Sequence, residues 1–189
     1  MKKIDWNIAK TYNGYQADEV ISALQKDIRR GNIDKAVFWS YELCLSGKEF
    51  QCKLWERLVT IAVEDIGLAS PVACVVIQQL KTAFYSNFDR EGDKFIQALL
   101  AAAYLAQSQK DRYIDEIKNF FFLTKPKYDI PDYALDKHTE KGKVLGRGDK
   151  HFWKIASKLF PEKEGRNKYY LKKILTILNR KDKEGDKVS

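Results

Sequence analysis

The residues with the clearest chemical potential lie in one basic, glycine-punctuated segment, 141–150 (KGKVLGRGDK). Its cations are Lys141, Lys143, Arg147 and Lys150, and His151 follows them directly. Glycine lets a backbone approach a phosphate closely, and cations spaced between glycines neutralise several phosphates together. The segment therefore predicts a loop that binds the backbone of DNA without reading its sequence. The alternative is a solvated loop followed by a helix whose aromatic side chains face the core.

Two neighbouring features could add contacts to nucleic acid. Phe152 and Trp153 follow His151, and these rings could stack on an unpaired base. Arg29 and Arg30 form a second candidate pair of phosphate contacts. Their place at the end of a predicted helix also suits a structural role, because cations are favoured at the negative end of the helix dipole.

Catalytic chemistry finds little support in the residue pattern. The two histidines, His138 and His151, could bind a metal together with Asp136 or Asp149, but the surrounding lysines oppose a bound cation. An enzyme acting on nucleic acid through Asp136, His138 and His151 is an alternative that nothing in their spacing demands. The sequence contains no GxxxxGK[ST], GxSxG or HExxH motif. We therefore expect a protein that is not an enzyme and that has no metal or cofactor.

Apolar residues recur with a helical period along most of the chain. The predicted helices cover 17–30, 34–46, a third segment ending at Gly67, 70–85, 93–107, 112–123, 132–140, 151–160 and 167–180. Residues 126–131 form a linker, and no convincing strand pattern occurs. The sequence therefore predicts an all-α fold, a compact bundle of about eight helices.

Charge is unevenly distributed along the sequence. The 34 basic and 26 acidic residues leave a net charge of +8. Residues 1–100 hold 13 of each sign, whereas residues 101–189 hold 21 basic and 13 acidic residues. A segregated excess favours a polyanion site in the second part of the chain, although a basic surface without a ligand remains an alternative.

Compartment signals favour a cytoplasmic protein. No apolar stretch is long enough to span a membrane, and no apolar segment follows the lysines at the start as in a signal peptide. The three cysteines, Cys44, Cys52 and Cys74, lack CxxC spacing and lie among apolar residues, so we expect buried free thiols.

Two stretches are similar to a known family. Residues 21–71 resemble the C-terminal region of the replication-associated recombination protein A family, also called MgsA, which are AAA+ ATPases related to clamp loaders. The matching residues include Ser22-Ala23-Leu24, Arg29, Asp34, Trp39, Arg57-Leu58, Glu64-Asp65-Ile66-Gly67 and Pro71. Residues 131–152 are similar to a segment of related domains through Ala134-Leu135-Asp136, His138-Thr139, Gly142 and Gly146-Arg147-Gly148.

The resemblance implies a helical fold like the collar domain of clamp-loader subunits, self-association that is often tetrameric, and work at stalled replication forks. In that family the ATPase module lies upstream of this domain. Because only residues 1–14 precede the likeness, we expect a free-standing version without ATP hydrolysis.

Residue types alone also suggest a structural role for one of the matching motifs, which is formed by Glu64, Asp65, Gly67 and Pro71. Glycine permits positive φ, and a carboxylate at a helix start can accept backbone N–H bonds. We expect this motif to fix the turn between two helices.

These features divide the chain into an N-terminal extension (1–14), a helical domain (15–160), an amphipathic helix (161–180) and a charged tail (181–189). The function we expect is a non-catalytic DNA replication, recombination and repair accessory module. It would self-associate and bind DNA through the basic loop, with the last helix as a further contact. The alternative is a protein-interaction collar for a separate AAA+ ATPase or another replisome protein, without direct DNA binding.

Overall fold

The computed structural model describes residues 4–86 and 90–185, with side chains described up to residue 180. Within these ranges the chain forms nine α-helices and no β-strand, apart from an isolated bridge between Lys10 and Gln16. The all-α prediction is confirmed. No helix of the described ranges is both long enough and apolar enough to cross a membrane.

The first compact unit, Met1–Lys125, contains six of these helices. They are α1 (Ala17–Arg30), α2 (Ile33–Leu45), α3 (Lys48–Ile61), α4 (Val72–Phe84), α5 (Glu91–Gln107) and α6 (Tyr113–Thr124). A π-helical turn, Ala62–Ile66, and a 3-10 turn, Gly67–Ala69, connect α3 to α4.

The start of α2 differs from the sequence prediction. The helix begins at Ile33 after Asn32, one residue before the predicted start, so Asp34 lies in its first turn. A carboxylate in the first turn still interacts favourably with the positive end of the helix dipole.

The core of this unit follows from the helical period of its apolar residues. On α1, Val20, Leu24 and Ile28 recur every four residues and are buried. Small residues on α5 allow α2 to approach closely, and the Ser40 hydroxyl on α2 donates to the Ala98 carbonyl at 3.1 Å. All buried apolar residues among those described lie between positions 17 and 106.

The cysteine prediction holds for one of the three thiols. All three are free; Cys44 is buried, and burial raises the pKa of its thiol to about 12. Cys52 and Cys74 are exposed, so the prediction that they are buried was wrong. Cys52 lies on the outer face of α3, whose buried face includes Leu54, Trp55 and Leu58.

The second compact unit, Pro126–Ser189, consists of short elements and one long helix. They are a 3-10 turn (Asp132–Ala134), α7 (Glu140–Val144), α8 (Asp149–His151), a π-helical turn (Phe152–Ala156) and α9 (Tyr169–Gly185). The predicted helix over 132–140 was therefore wrong beyond Ala134, because Asp136 organises a turn there.

The predicted domain boundaries stay a prediction. The helical domain predicted over 15–160 includes parts of both compact units. Residues 181–185 of the predicted tail belong to α9. Residues 186–189 lie outside the described residues.

Candidate nucleic-acid interface

Nearly all of the excess positive charge belongs to the second unit. Residues 126–189 hold 17 basic and 10 acidic residues, whereas residues 1–125 hold 17 and 16. The second unit is therefore the part of the chain whose charge best suits a polyanion.

The segment 141–150 is not the irregular loop that its glycines predict. The Thr139 hydroxyl accepts a hydrogen bond from the Gly142 amide at 3.0 Å and caps α7. Gly142 is buried, and a Cβ at this position would lie 1.9 Å from the Asp136 carbonyl oxygen. This glycine therefore allows close packing within the chain, which is a different use from approach to a phosphate.

Arg147 is bound inside the second unit. Its guanidinium donates to the carbonyl oxygens of Asp132 at 2.7 Å and Leu135 at 2.8 Å, and it forms an ion pair with the Asp132 carboxylate. The side chain is only 18% exposed. These bonds hold the 3-10 turn beside α7, so this geometry gives Arg147 an anchoring role and lends no support to its predicted phosphate contact.

The other predicted cations are placed at the surface. Lys141 and Lys143 lie exposed on α7, where Lys143 pairs with Glu140 one turn earlier. Lys150 is also exposed, and it lines a groove of about 580 Å³ together with His151. The groove is also lined by Lys154, Gly146, Gly148 and Leu178.

A second groove, of about 440 Å³, continues along the same unit. It is lined by Trp153, Lys154, Lys158, Arg166 and Lys168, among others. Glu162 lies within it, and hydrogen bonds from Lys168 and then Arg166 lower the pKa of its carboxyl group. One acid therefore neutralises part of the basic lining.

Lys150, Lys154 and Lys158 form a lysine row that connects the two grooves, because Lys154 lines both of them. Lys154 and Lys158 are exposed, and neither forms an ion pair with a residue that the structure describes. The phosphate contacts predicted from the sequence do not include these two lysines. Their only signal in the sequence is that they continue the run of cations beyond Lys150, because Lys154 lies in the π-helical turn and Lys158 follows its end.

The two histidines do not assemble a metal site with their acidic neighbours. Asp136 accepts hydrogen bonds from the backbone and side chain of His138, and these bonds lower the pKa of the Asp136 carboxyl group. The His138 ring packs edge-on against Phe152, with 5.1 Å between ring centroids. No group of three or more His, Cys, Asp or Glu residues that could hold a metal occurs in residues 4–86 and 90–180.

The Glu64–Asp65 motif lies in the first unit and brings three elements together. Asp65 is fully buried, and its carboxylate accepts hydrogen bonds from Arg29 Nε at 2.7 Å and Gln25 Nε2 at 3.0 Å. Arg112 Nε, just before α6, lies 3.3 Å from the same carboxylate. These bonds come from α1 and Arg112 instead of the backbone N–H groups that the sequence favoured, since a buried carboxylate needs cationic partners.

The same motif accounts for Gly67 and Pro71. Gly67 has φ +50°, and a Cβ there would lie 2.5 Å from the Asp111 carbonyl oxygen, so the close approach requires glycine. Pro71 has helical backbone angles, φ −57° and ψ −24°, immediately before α4. The arrangement is structural in character, and its part in function stays a prediction.

Arg29 and Arg30 face different environments. The hydrogen bond to Asp65 raises the pKa of Arg29, whose side chain is 30% exposed, and Glu64 lies 4.0 Å away. Arg30 is exposed and donates to the Lys26 carbonyl oxygen at 3.0 Å. Of the two, Arg30 is the more exposed, and its phosphate contact stays a prediction.

An apolar surface on α6 was also missed by sequence analysis. This α6 surface is formed by Ile114, Ile117, Phe121 and Phe122 around the aliphatic stem of Lys118, and it borders Val59 and Val63. The four consecutive apolar residues 120–123 are the signal, because consecutive residues on a helix cannot all face one core.

The described residues therefore define an all-helical protein with one buried core, an exposed apolar helix face and a basic second unit. Residues 31–181 match the family described as MgsA AAA+ ATPase C terminal, and the chain belongs to this family. The family resemblance predicted from the sequence is confirmed.

The chain is also similar to curated proteins of this family. The chain is 30% identical over 171 residues to the replication-associated recombination protein A of Haemophilus influenzae, covering 79% of this chain and 36% of the relative. It is 28% identical over 138 residues to the protein of the same name from Escherichia coli K12, covering 70% of this chain and 30% of the relative. The chain thus spans about a third of the length of these relatives.

Proposed function

We propose that this protein is a non-catalytic accessory module of replication-associated recombination that self-associates and binds DNA through its second unit. The family membership and the names of the curated relatives support the process. The observation that carries DNA binding is the lysine row, which connects two grooves in the unit with 17 basic and 10 acidic residues.

The chemistry of this surface fits a phosphate backbone. Lys154 and Lys158 are available as point charges, and the adjoining grooves give a backbone a path beside them. Each phosphate that a lysine neutralises releases condensed counterions, so affinity falls steeply with salt. Such contacts set affinity and register without selecting a base sequence.

The test is binding to single-stranded, duplex and forked DNA across a salt series, with Lys154→Glu/Lys158→Glu compared with wild type. Loss of two phosphate contacts on duplex DNA is expected to reduce the slope of log K against log salt by about 1.8. Arg147 is unsuitable for this experiment, because its replacement would break the bonds to Asp132 and Leu135.

The matched control is Lys35→Glu/Lys48→Glu, which changes net charge equally on exposed positions of the first unit. Unchanged binding by this control and weakened binding by the first variant would support the proposal. Equal effects of both variants would indicate a general charge effect, and no binding by wild type at low salt would end the proposal.

Self-association is assigned to the α6 surface. Phe122 is 74% exposed and Leu123 is 85% exposed, which is unusual for such large apolar side chains next to one another. A second copy of the chain, up to a tetramer as the family resemblance implies, would cover this surface.

A second candidate function is a collar for a separate AAA+ ATPase or another replisome protein without direct DNA binding. The α6 surface favours it, because an apolar helix face suits a protein partner and offers nothing to a phosphate. A protein that stays monomeric and binds no DNA, but is retained by the ATPase, would favour this candidate.

We propose that the chain performs no enzymatic step. We also propose that it lies in the cytoplasm, at the nucleoid, where its DNA would be. The matched family region is described as the C-terminal part of an AAA+ ATPase. Nuclease and ATPase assays with and without divalent metal, with His138→Ala as a comparison, test this. Metal-dependent activity that is lost in the variant would contradict it.

A further inference from the structure

The start of α9 carries two exposed tyrosines next to several cations, of which Lys168 pairs with Glu162. Tyr169 is 54% exposed and Tyr170 is 74% exposed. Residues 167–180 contain four cations, Lys168, Lys172, Lys173 and Arg180, and no acid. The two exposed rings contact each other and form one patch, and an aromatic patch beside cations suits a ligand that uses both.

The helical period separates the outer face of α9 from the part of this helix that packs. Leu171, Ile174, Leu175 and Leu178 are the half-buried stripe. Tyr169, Lys173 and Arg180 lie on the opposite side, at spacings of four and seven residues. With a rise of 1.5 Å per residue, this side presents a ring and then two cations over about 16 Å.

The two rings hold each other in a defined arrangement. Their centroids are 5.1 Å apart with planes at 79°, an edge-to-face contact. Lys173 Nζ lies 4.6 Å from the centroid of Tyr169, which covers that ring with a cation. At the helix start, the Asn167 side chain accepts the Tyr169 amide at 2.9 Å and fixes the first turn. Tyr170 is therefore the more accessible ring, and Tyr169 orients it.

We propose that the outer face of α9 binds single-stranded nucleic acid, with an unpaired base stacked on Tyr170 and the adjoining phosphates at Lys173 and Arg180. This inference rests on the proposed function and adds the class of strand that the unit prefers. Every base presents a π-face, so stacking tolerates any sequence but needs a base that is not already paired. Arg180 forms no ion pair with the side chains that the structure describes.

Duplex DNA and a protein partner fit this face less well. In duplex DNA the bases are stacked on one another, which leaves the backbone for the lysines and nothing for Tyr170. An apolar protein interface would be depleted of charge at its centre, whereas Lys173 lies in the middle of this face and directly on Tyr169.

The experiment measures fluorescence anisotropy of labelled oligo-dT and of a duplex of equal length with the full chain at several salt concentrations. Tyr170→Ala is expected to weaken oligo-dT binding about 5- to 150-fold, the range for loss of one stacked base. Duplex binding should stay within about twofold, and the salt slope should not change, because no phosphate contact is removed.

Three comparisons make the outcome specific. Tyr170→Phe keeps the ring and should bind oligo-dT like wild type. Asn179→Ala, at an exposed position on the opposite side of the helix from Tyr170, should also leave binding unchanged. Lys173→Gln should reduce the salt slope on oligo-dT by about 0.7.

Equal losses on oligo-dT and duplex, failure of Tyr170→Phe to retain binding, or a changed mass of Tyr170→Ala in light scattering would each overturn the inference. If Tyr170→Ala has no effect while Lys154→Glu/Lys158→Glu weakens binding, this inference fails and the proposed function stands. If the wild-type protein binds neither oligo-dT nor duplex at low salt, the proposed function fails and the inference fails with it.

Discussion

At the scale of residues, Asp65 shows how one buried charge organises the first unit. Its carboxylate joins Arg29 of α1 to Arg112 before α6, and its carbonyl oxygen accepts the Asp111 amide at 3.0 Å. A buried carboxylate is stable only with such partners, so the three elements can pack here in one arrangement. The α6 surface is thereby held in a fixed position relative to α1.

A second carboxylate in this network should make stability depend on pH. Asp115 is buried on α6, and hydrogen bonds from Lys118 and then Arg112 lower the pKa of its carboxyl group below 3.8. A depressed pKa contributes stability that is present above the unfolded value and lost as pH falls through the folded value.

We expect Asp115→Asn to reduce the free energy of unfolding at pH 6, and the difference from wild type to shrink as pH falls below 3.8. Urea unfolding of both proteins from pH 6 to pH 2.5 measures it. If the difference in unfolding free energy does not vary with pH, the negative charge of Asp115 does not contribute to stability through its bonds with Lys118 and Arg112.

Gly142 and Gly148 offer a matched pair of substitutions in the second unit. Gly142→Ala would place a Cβ 1.9 Å from the Asp136 carbonyl oxygen, whereas no atom lies within 4 Å of the corresponding position at Gly148. We expect Gly142→Ala to destabilise the local fold by about 1–3 kcal/mol and Gly148→Ala to have little effect. Limited proteolysis over residues 126–160 checks this, and equal cleavage of both variants would contradict the close approach.

At the scale of elements, α6 has little of its surface in the core. Only Asp115 of its residues is buried, while the apolar residues Ile114 and Phe120 to Leu123 are exposed. A helix of this kind gains most of its stability by packing against a partner. The α6 surface is therefore the part of the first unit best suited to association.

Phe122→Asp should lower the mass of the protein in solution from an oligomer toward the 22.0 kDa monomer, because a charge would be buried in the contact. Light scattering during size-exclusion chromatography measures this. Val75→Asp, on an exposed apolar position of α4, is the control and should leave the mass unchanged. Loss of mass in both variants, or in neither, would rule out a specific contact at α6.

At the scale of the whole molecule, the two units differ in core and in charge. The buried apolar residues among those described all lie in the first unit, and the second unit holds most of the net charge. The first unit therefore contains the packed core, and the second carries the charge on which the proposed DNA contact depends.

This division predicts the behaviour of fragments. A fragment of residues 1–125 should unfold cooperatively on heating, whereas residues 126–189 should show a broad, weak transition because little apolar surface is buried there. Circular dichroism at 222 nm against temperature measures both. A sharp transition of the 126–189 fragment would contradict the assignment of the core to the first unit.

Much of the fold could be predicted because its signals are local. The apolar period of α1 and the glycine that ends it lie within 15 residues, and the structure has that helix at Ala17–Arg30. The family resemblance was equally accessible, since it depends on residue identities around Glu64–Asp65 and Gly146–Gly148.

The candidate site could be predicted only in part. The sequence directed attention to the basic second part of the chain, and Lys150 and His151 do line a groove there. It did not distinguish Arg147, which binds internal carbonyl oxygens, from Lys154, which is exposed. Both residues are cations in the same segment, and only the position of their acceptors separates them.

The sequence by itself determined the helical class, the family and the segregation of charge, because period, identity and charge are properties of the chain read in order. Only the tertiary structure decided that Gly142 serves internal packing, that Asp65 takes its partners from α1 and Arg112, and that α6 and the tyrosines of α9 are left exposed. Those facts depend on contacts between residues distant in the chain, and the free energy of such contacts is set by geometry that no local pattern contains.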